Sequence, residues 1–273
     1  MEARGVALSA HSATSGDFRL DGKVAVITGA GSGIGRAIAL RFAAHGAKIR
    51  VLDIDEAAAG ATCKPIAESG GTASAHACDV TDQAMVKETF AGLFRSERID
   101  ILVNNAGVSH IGTVESTTEA DFDRLIRINV KGFYNCMHAM VGHMQKNGGG
   151  VILNMASIAG STGLADRFAY SMTKGAVIAM TYSVARDYLA HKIRCNCISP
   201  ARVHTPFVDD YLKRTYPGRE QEMFEKLAQS QPVGRMAEPA EVASLALFLC
   251  SDEASFITGQ DYPLDGGFFN LRG

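Results

Sequence analysis

The feature that most constrains the fold is a glycine-rich turn between an apolar strand and an amphipathic helix. A short β-branched run from Lys23 to Thr28 leads into Gly-Ala-Gly-Ser-Gly-Ile-Gly over residues 29–35. A periodic helix follows to about Gly46, and a second strand over residues 48–52 ends in Asp53. Glycines let the backbone approach a pyrophosphate, and the helix N-terminus offers unpaired N–H groups. The pattern therefore predicts a βαβ unit that binds a dinucleotide.

Asp53 also bears on which dinucleotide is bound. It stands eighteen residues beyond Gly35, where a carboxylate accepts hydrogen bonds from a ribose diol. Its charge would repel a 2′-phosphate, and the glycine turn contains no Arg or Lys that would offset this repulsion. Arg50 is expected on the far side of the strand. The sequence therefore favours NAD over NADP.

The alternation of apolar runs and amphipathic segments continues to the end of the chain. Further strands are expected at 73–77, 99–103, 151–155, 193–198 and 262–264, and further helices at 56–68, 83–94, 120–146, 168–190 and 239–249. Repeated β-then-α predicts an α/β, single-domain Rossmann fold: a doubly wound parallel sheet of about seven strands with helices on both faces. We expect one domain over residues 21–273, preceded by a loose tail at 1–20.

Composition narrows the classes of function. The net charge of −2 gives no field that would attract nucleic acid or an anionic membrane, and no apolar run reaches membrane-spanning length. The eight histidines lack ligand spacing, so no metal site is expected. All six cysteines are interpreted as reduced thiols, and the first twenty residues lack the apolar stretch of a secretory signal. These features predict a cytoplasmic protein.

Tyr170 and Lys174 are the candidates for acid–base chemistry. Residues four apart share one face of a helix. An ammonium beside a phenol favours the phenolate, so we expect the pKa of Tyr170 to fall from its usual value of about 10. Asn129 lies well inside a predicted helix, where Asn is unfavourable, and this suggests that it bends the helix or holds a water.

Several polar or small residues end the predicted strands. Ligands of open parallel sheets bind beyond the carboxyl ends of the strands. The residues expected to meet at that edge are Gly29, Asp53, Asp79, Asn105, Ser157 and Pro200.

From about Leu20 to Phe268 the chain resembles the short-chain dehydrogenase/reductase family. Residues 28–35 match its cofactor turn, and Asn-Asn-Ala-Gly at 104–107 matches its strand-four signature. Its catalytic tetrad is matched in order and spacing by Asn129, Ser157, Tyr170 and Lys174. One departure is Ala201, where the family usually has Gly after Pro200.

The resemblance implies a role for each matched residue. Tyr170 would exchange a proton with substrate, Lys174 would lower its pKa and hold the nicotinamide ribose, Ser157 would orient the reacting oxygen, and Asn129 would hold a water. The cofactor, NAD, would be bound by Gly29, Ser32, Gly33, Ile34, Gly35, Asp53, Ile54, Asp79, Val80, Asn105, Ala106, Gly107, Tyr170, Lys174, Pro200, Val203 and Thr205. Family members are usually tetramers, so a homotetramer is expected.

Two arginines, Arg167 and Arg202, are candidates for substrate binding together with Ser157 and Tyr170. Arg167 stands about one helical turn before Tyr170, where a guanidinium could bind a carboxylate. A helix cap or an ion pair with Asp166 or Asp187 explains it equally well. Arg202 either contacts substrate or faces solvent. It precedes a polar segment, about 205–236, that closes over the substrate in the family.

Three runs, at 110–114, 165–170 and 193–197, resemble a subgroup that acts on hydroxy acids. The subgroup includes 3-hydroxybutyrate-type enzymes and dehydrogenases of 2-keto-3-deoxy sugar acids such as the fuconate and rhamnonate products. The predicted function is therefore an NAD-dependent oxidoreductase in carbohydrate metabolism that interconverts an alcohol and a ketone on a small hydroxylated acid, with a sugar acid favoured. The alternatives are a neutral sugar or polyol dehydrogenase of L-fucose type, a 3-oxoacyl reductase, and an NAD-binding redox sensor.

Overall fold

A seven-stranded parallel sheet forms the centre of the computed structural model, which describes residues 18–271. The strands are β1 (Val24–Thr28), β2 (Lys48–Asp53), β3 (Ala73–Ala77), β4 (Ile101–Asn104), β5 (Gly150–Met155), β6 (Ile193–Pro200) and β7 (Asp261–Leu264). Their spatial order is β3-β2-β1-β4-β5-β6-β7, and all six pairings are parallel. The predicted fold class and strand number are confirmed. The order reverses between β1 and β4, which is where an open α/β sheet binds its ligand.

Helices cover both faces of the sheet. They are α1 (Gly33–Ala44), α2 (Glu56–Glu68), α3 (Gln83–Ser96), α4 (Glu119–Leu125), α5 (Gly132–Lys146), α6 (Phe168–Asp187), α7 (Pro206–Thr215), α8 (Glu220–Gln229) and α9 (Pro239–Cys250). None of the helices within residues 18–271 is both long and apolar enough to cross a bilayer. The polar stretch expected to be helical after residue 206 divides into α7 and α8.

Two apolar layers fix the helices to the sheet. On one face, Phe42 of α1 and Leu249 of α9 are fully buried against the strands. On the other face, Phe90 of α3, Met140 of α5 and Val177 of α6 are buried in the same way. Because parallel strands are covered on both faces, their polar functional residues are left at the strand ends.

The long helix expected over residues 120–146 is interrupted. A π-helical segment, Ile126–Lys131, separates α4 from α5 and contains Asn129. Such segments insert an extra residue into the helical ladder and often mark functional sites. The poor helix propensity of Asn129 thus indicated a real irregularity of the backbone.

The boundary predicted for the N-terminal tail is wrong by a few residues. Leu20 is fully buried in the core, and its N–H donates to the carbonyl of His45. Phe18 packs edge-on against Phe248 at 5.6 Å. These contacts anchor residues 18–20 to the domain, while the rest of the predicted tail lies outside the described residues. All six cysteines are free thiols, and five of them are buried.

Candidate active site

The glycine turn after β1 is packed closely on one side and open on the other. A Cβ on Gly35 would collide with the carbonyl of Gly29, and one on Gly29 would lie 2.7 Å from Cα of Ala106. Gly33 has a φ of +54°, and the nearest atom to its missing Cβ is Cγ2 of Thr205 at 3.7 Å. The side chain of Ser32, the N-cap of α1, makes no capping hydrogen bond. The turn therefore presents backbone N–H groups to an open face, which fits a pyrophosphate.

Asn105 holds this turn against the end of β4. Its Nδ2 donates to the carbonyls of Thr28 and Gly29 at 3.1 and 3.0 Å. The backbone N–H groups of Asn105 and Ala106 both donate to Oγ1 of Thr28, at 3.0 and 3.1 Å. The Asn105 side chain thus fixes the shape of the turn. Its amide can therefore affect cofactor binding indirectly, by holding the turn in place.

Asp53 ends β2 beside the same turn. Its Oδ2 accepts from the N–H of Gly31 at 2.8 Å, and its Oδ1 accepts from that of Asp55 at 3.1 Å. Arg50 turns away and forms an ion pair with Glu97, with Nη2 2.7 Å from Oε2. The expected orientation of Arg50 is confirmed, so its charge does not compensate that of Asp53.

The other predicted cofactor residues follow the ends of neighbouring strands. Asp79, after β3, accepts from the N–H of Thr81 at 2.8 Å. Ile54 is 73% exposed beside Asp53, which leaves an apolar surface at the edge of the site. Residues beyond the ends of β3, β4 and β6 complete this group: Val80, Ala106, Gly107, Pro200 and Val203.

Ser157, Tyr170 and Lys174 come together beyond the end of β5. Ser157 lies just after the strand, where its Oγ accepts from the N–H of Ala159 at 3.2 Å, and it is close enough to Tyr170 to act on the pKa of the phenol. Nζ of Lys174 donates to the carbonyl of Met155 at 2.7 Å and lies 5.8 Å from the centre of the Tyr170 ring. One hydroxyl, one phenol and one buried ammonium are thus arranged around a common point.

Asn129 joins this cluster from the π-helical segment. It is fully buried, and its Nδ2 donates to the Val108 carbonyl at 2.8 Å and to Oγ1 of Thr173 at 3.1 Å. Its Oδ1 accepts from the N–H of Val108 at 2.9 Å. A Cβ on Gly107 would lie 3.2 Å from this oxygen and 3.7 Å from Nζ of Lys174. Asn129 therefore ties the loop after β4 to α6 next to the ammonium.

The protein's own groups do not make Tyr170 the acidic phenol that the sequence pattern predicts. Burial raises the pKa of Tyr170, and the neighbouring Ser157 hydroxyl and the charge of Arg167 oppose this without overcoming it. Burial also lowers the pKa of Lys174, to about 8. The prediction is wrong because it counted the charge of Lys174 and left out desolvation, which acts on both groups.

Arg167, one of the two arginines predicted to bind substrate, lies close enough to Tyr170 for its charge to act on the phenol. Arg167 is the N-cap of α6, but its side chain makes no capping hydrogen bond. Its Nη1 lies 3.4 Å from the carbonyl oxygen of His110 and 3.5 Å from that of Asp166. Within residues 18–271, Arg167 forms no ion pair, so the ion-pair explanation is wrong.

Arg202 is half-buried and close enough to Arg167 for the two charges to interact. Its Nε donates to Oγ of Ser230, the C-cap of α8, at 3.1 Å. Burial lowers the pKa of Arg202, and the charge of Arg167 lowers it further. Arg202 also pairs with no carboxylate in the described part of the chain. Ala201, the departure from the family pattern, lacks a positive φ, so the substitution for Gly introduces no backbone strain.

The sequence interpretation missed the tyrosines of the segment after β6. Tyr211 of α7 interacts electrostatically with both arginines, and Tyr216 follows at the C-cap of the same helix. His204, at the start of the segment, hydrogen-bonds Asp209 at 2.9 Å and packs edge-on against Phe224 at 5.0 Å. No spacing in the sequence signals these contacts, because they depend on how α7 and α8 pack against each other.

Comparisons with known proteins agree with this geometry. A family model described as Enoyl-(Acyl carrier protein) reductase matches residues 29–269. The 2-keto-3-deoxy-L-fuconate dehydrogenase of Xanthomonas campestris pv. campestris is 38% identical over 258 residues, 94% of this chain and 83% of the relative. Dehydrogenase/reductase SDR family member 6 of Xenopus laevis is 39% identical over 251 residues, 92% of this chain and 98% of the relative.

A solved structure with the same fold extends the comparison. NAD⁺-bound xylitol dehydrogenase has a TM-score of 0.84 and 34% identity, and the match covers 90% of this chain and 99% of that one. The family match includes the glycine turn and the cluster of Ser157, Tyr170 and Lys174. The chain therefore belongs to the short-chain dehydrogenase/reductase family of oxidoreductases, which act on CH–OH donors.

Proposed function

We propose that the protein is an NAD-dependent dehydrogenase of a small hydroxylated acid, with a sugar acid as the preferred substrate. The observation that carries this proposal is that Arg167 lies close enough to both Tyr170 and Arg202 for their charges to interact, and that neither guanidinium is paired with a carboxylate within residues 18–271. Arginine binds carboxylates through two parallel hydrogen bonds, and two adjacent cations favour an anion between them. The relative named 2-keto-3-deoxy-L-fuconate dehydrogenase supports the same class of substrate.

The residues around Tyr170 are suited to moving a proton. In the oxidative direction the Tyr170 phenolate takes the proton of a substrate alcohol and becomes the neutral phenol, and Ser157 beside it orients the reacting oxygen. NAD supplies the hydride acceptor when bound. Lys174, held by the Met155 carbonyl, contributes positive charge close to the phenol and a donor for the cofactor ribose.

The preference for NAD follows from Asp53. Its carboxylate lies within the turn and has no cationic partner among residues 18–271. A ribose diol can donate to this carboxylate, whereas a 2′-phosphate would be repelled.

The proposal is tested by following NADH absorbance with a panel of hydroxy acids, sugar acids, neutral sugars and polyols. We expect acids to give the highest kcat/KM. Arg167→Gln should raise KM for the best acid by at least about tenfold, since a hydrogen bond to a charged group contributes roughly 1.5–3 kcal/mol. Arg186→Gln, in the last turn of the same helix, is the matched control and should change nothing. Equal effects of Arg167→Gln on acids and neutral alcohols would refute the carboxylate contact.

A neutral polyol dehydrogenase is the second candidate, favoured by the similarity to xylitol dehydrogenase. In that case Arg167 and Arg202 would be structural, and polyols would exceed acids in the same panel.

We also propose that the protein is a cytoplasmic homotetramer. Four aromatic or apolar side chains on α5 and α6 are exposed: Tyr134 at 47%, Phe168 at 45%, Met172 at 36% and Tyr182 at 46%. Burial of these faces between subunits would remove them from water. Sedimentation equilibrium of the full chain should give four times the monomer mass, and a monomer at micromolar concentration would contradict this.

A further inference from the structure

A cavity of about 260 Å³ lies beyond the carboxyl ends of β6 and β7. The last residues of these strands, Pro200 and Leu264, are register partners, and the N–H of Ala201 donates to the Leu264 carbonyl at 3.0 Å. Both Ala201 and Leu264 line the space, which we call the β6–β7 cavity. Pockets for drug-sized ligands measure about 300–1,000 Å³, so the β6–β7 cavity suits part of a small molecule.

The β6–β7 cavity lies close to Ser157. The peptide group that joins Pro200 to Ala201 has its carbonyl oxygen 3.5 Å from Oγ of Ser157, and Ala201 is part of the cavity wall. Neighbouring strands are about 4.8 Å apart, so β7 lies roughly 10 Å from β5, the strand that precedes Ser157. A substrate whose alcohol carbon is held at Ser157 can therefore reach the cavity with a chain of a few carbons.

The wall of the β6–β7 cavity combines balanced charges with apolar surface. Arg202 and Asp265 contribute opposite charges, while Arg235 and Glu241 form an ion pair with 2.7 Å between Nη1 and Oε2. Apolar side chains also line the cavity: Ala201, Val233, Ala237 and Leu264. Hydroxyl groups both donate and accept hydrogen bonds, and the carbons that bear them pack against apolar surface. The wall therefore fits a hydroxylated carbon chain.

Two polar side chains of the wall are held by one hydroxyl. Oγ of Ser230, the C-cap of α8, accepts from Nε of Arg202 at 3.1 Å and from Nε2 of Gln231 at 3.0 Å. The same hydroxyl donates to the carbonyl of Leu227 at 2.7 Å, which fixes its direction. Since Ser230 engages only Nε of Arg202, the two terminal nitrogens of the guanidinium remain for a ligand.

Gln231 offers an acceptor that the protein does not use. The residue is 4% exposed, and its Oε1 has no hydrogen-bond partner among residues 18–271. A buried acceptor without a partner destabilises the fold. The terminal torsion of Gln is soft, so a small rotation turns this oxygen toward the cavity that the side chain lines. A ligand hydroxyl that donates to Oε1 would supply the missing hydrogen bond.

We propose that the β6–β7 cavity binds the hydroxylated chain of the substrate acid, with Gln231 accepting from one of its hydroxyl groups and Arg202 donating to the same molecule. This inference rests on the proposed function, and it makes Gln231 a specificity-determining residue. An acid with a single hydroxyl group leaves Oε1 of Gln231 without a partner, so sugar acids are preferred. Ser230 is a positioning residue, because it acts through Arg202 and Gln231.

The test compares the best sugar acid of the panel with 3-hydroxybutyrate, which has the same charge and one hydroxyl group. Gln231→Met keeps the length of the side chain and removes the acceptor. We expect KM for the sugar acid to rise about fivefold, with kcat within about twofold of wild type and KM for 3-hydroxybutyrate unchanged. Where one of the acids is not turned over, its inhibition constant replaces KM. The matched control is Gln229→Met, at an exposed position of α8, and it should change neither value.

A second variant tests the cavity without altering its polar groups. Val233 is 55% exposed and lines the cavity, so Val233→Phe narrows the space from its rim. KM for the sugar acid should again rise, while that for 3-hydroxybutyrate stays the same. Ser230→Ala should give a smaller rise in the same direction as Gln231→Met. Thermal unfolding of each variant verifies that it is folded.

The possible failures are distinguishable. If Gln231→Met affects both acids equally or neither of them, the inference about the cavity is overturned. The proposed function then stands, provided that Arg167→Gln raises KM for acids alone. If the wild type turns over polyols and no acid, the proposed function is overturned, and the inference about the cavity falls with it.

Discussion

Substitution of Asp53 by Asn isolates the charge that we expect to select NAD. The side chain keeps its size, and an amide oxygen can still accept the hydrogen bond from the N–H of Gly31 that the carboxylate accepts at 2.8 Å. The turn should therefore keep its shape while the negative charge is lost. Any change in cofactor preference then reports electrostatics.

The magnitude follows from Coulomb's law. A phosphate carries about −1.5 to −2 charges near pH 7. For each pair of unit charges about 4 Å apart, the repulsion ranges from about 1 kcal/mol in water to about 4 kcal/mol near a protein surface. Asp53 is half-buried, so screening keeps the repulsion toward the lower values, about 2–4 kcal/mol in total. This corresponds to a change of roughly thirtyfold to a thousandfold in the preference for NAD over NADP.

The assay compares kcat/KM for NAD and NADP at saturating substrate. Asp55→Asn is a matched control because it removes the same charge two residues away, and Asn remains a good N-cap for α2, where Asp55 accepts from the N–H of Ala58. We expect Asp53→Asn to reduce the ratio of NAD to NADP efficiency by the amount above and Asp55→Asn to change it little. An unchanged ratio in Asp53→Asn, or an equal change in both variants, would refute the reasoning.

Three further predictions concern catalysis, stability and the cofactor turn. Tyr170→Phe should lower kcat by at least about a hundredfold, since general acid–base catalysis contributes 10²–10⁴-fold. The affinity for NADH, measured by fluorescence, should stay within about twofold. A loss of kcat below tenfold would contradict the role of Tyr170. Because burial lowers the pKa of Lys174 from 10.5 to about 8, the unfolded Lys174 binds more protons than the folded one between these values, and its contribution to stability should rise from pH 8 to pH 10.5. The buried cysteines, whose pKa values are raised, contribute the opposite trend, so the test is the difference in unfolding free energy between wild type and Lys174→Met, measured by denaturant titration. This difference should shift in favour of the wild type from pH 8 to pH 10.5 by about 3 kcal/mol or less, and a difference that does not change with pH would exclude the Lys174 contribution. Gly35→Ala should abolish NADH binding, because the added Cβ collides with the Gly29 carbonyl. The control Gly60→Ala has open space around the added Cβ in α2, so it should bind NADH normally and gain about 0.5–1 kcal/mol of stability. Normal NADH binding by Gly35→Ala would show that the turn can move.

The sheet and the residues at its carboxyl edge could be predicted because they depend on local rules. Strand runs, the glycine turn and the alternation with helices fix a parallel sheet, and a parallel sheet brings its strand ends together. The positions of Asp53 and Ser157 follow from that geometry alone. The irregularity at Asn129 was also visible, since a polar residue with poor helix propensity stood inside an apolar helical pattern.

Other features of the site depend on tertiary packing and could not be predicted from spacing. The raised pKa of Tyr170 results from desolvation by residues distant in sequence, and the pattern of Tyr and Lys four apart contains no measure of burial. Tyr211 interacts electrostatically with Arg167 and Arg202, which come from other parts of the chain, so this interaction depends on tertiary packing. The side chain of Asn105, predicted to bind cofactor, donates to the carbonyls of the glycine turn, a bond defined by the approach of β4 to β1.

The distribution of charge around Tyr170 is the strongest physical argument for an anionic ligand. Lys174 and Arg167 lie close to this residue, and Arg202 lies close enough to Arg167 for their charges to interact. None of the three forms an ion pair with a carboxylate among residues 18–271. Burial lowers the pKa of both Lys174 and Arg202, which means that the folded protein holds these charges at a cost in stability. An anion bound between the arginines would relieve that cost, and a neutral alcohol would not. The binding free energy of an acid would therefore include the relief of this desolvation cost. A polyol of the same size would gain no such contribution.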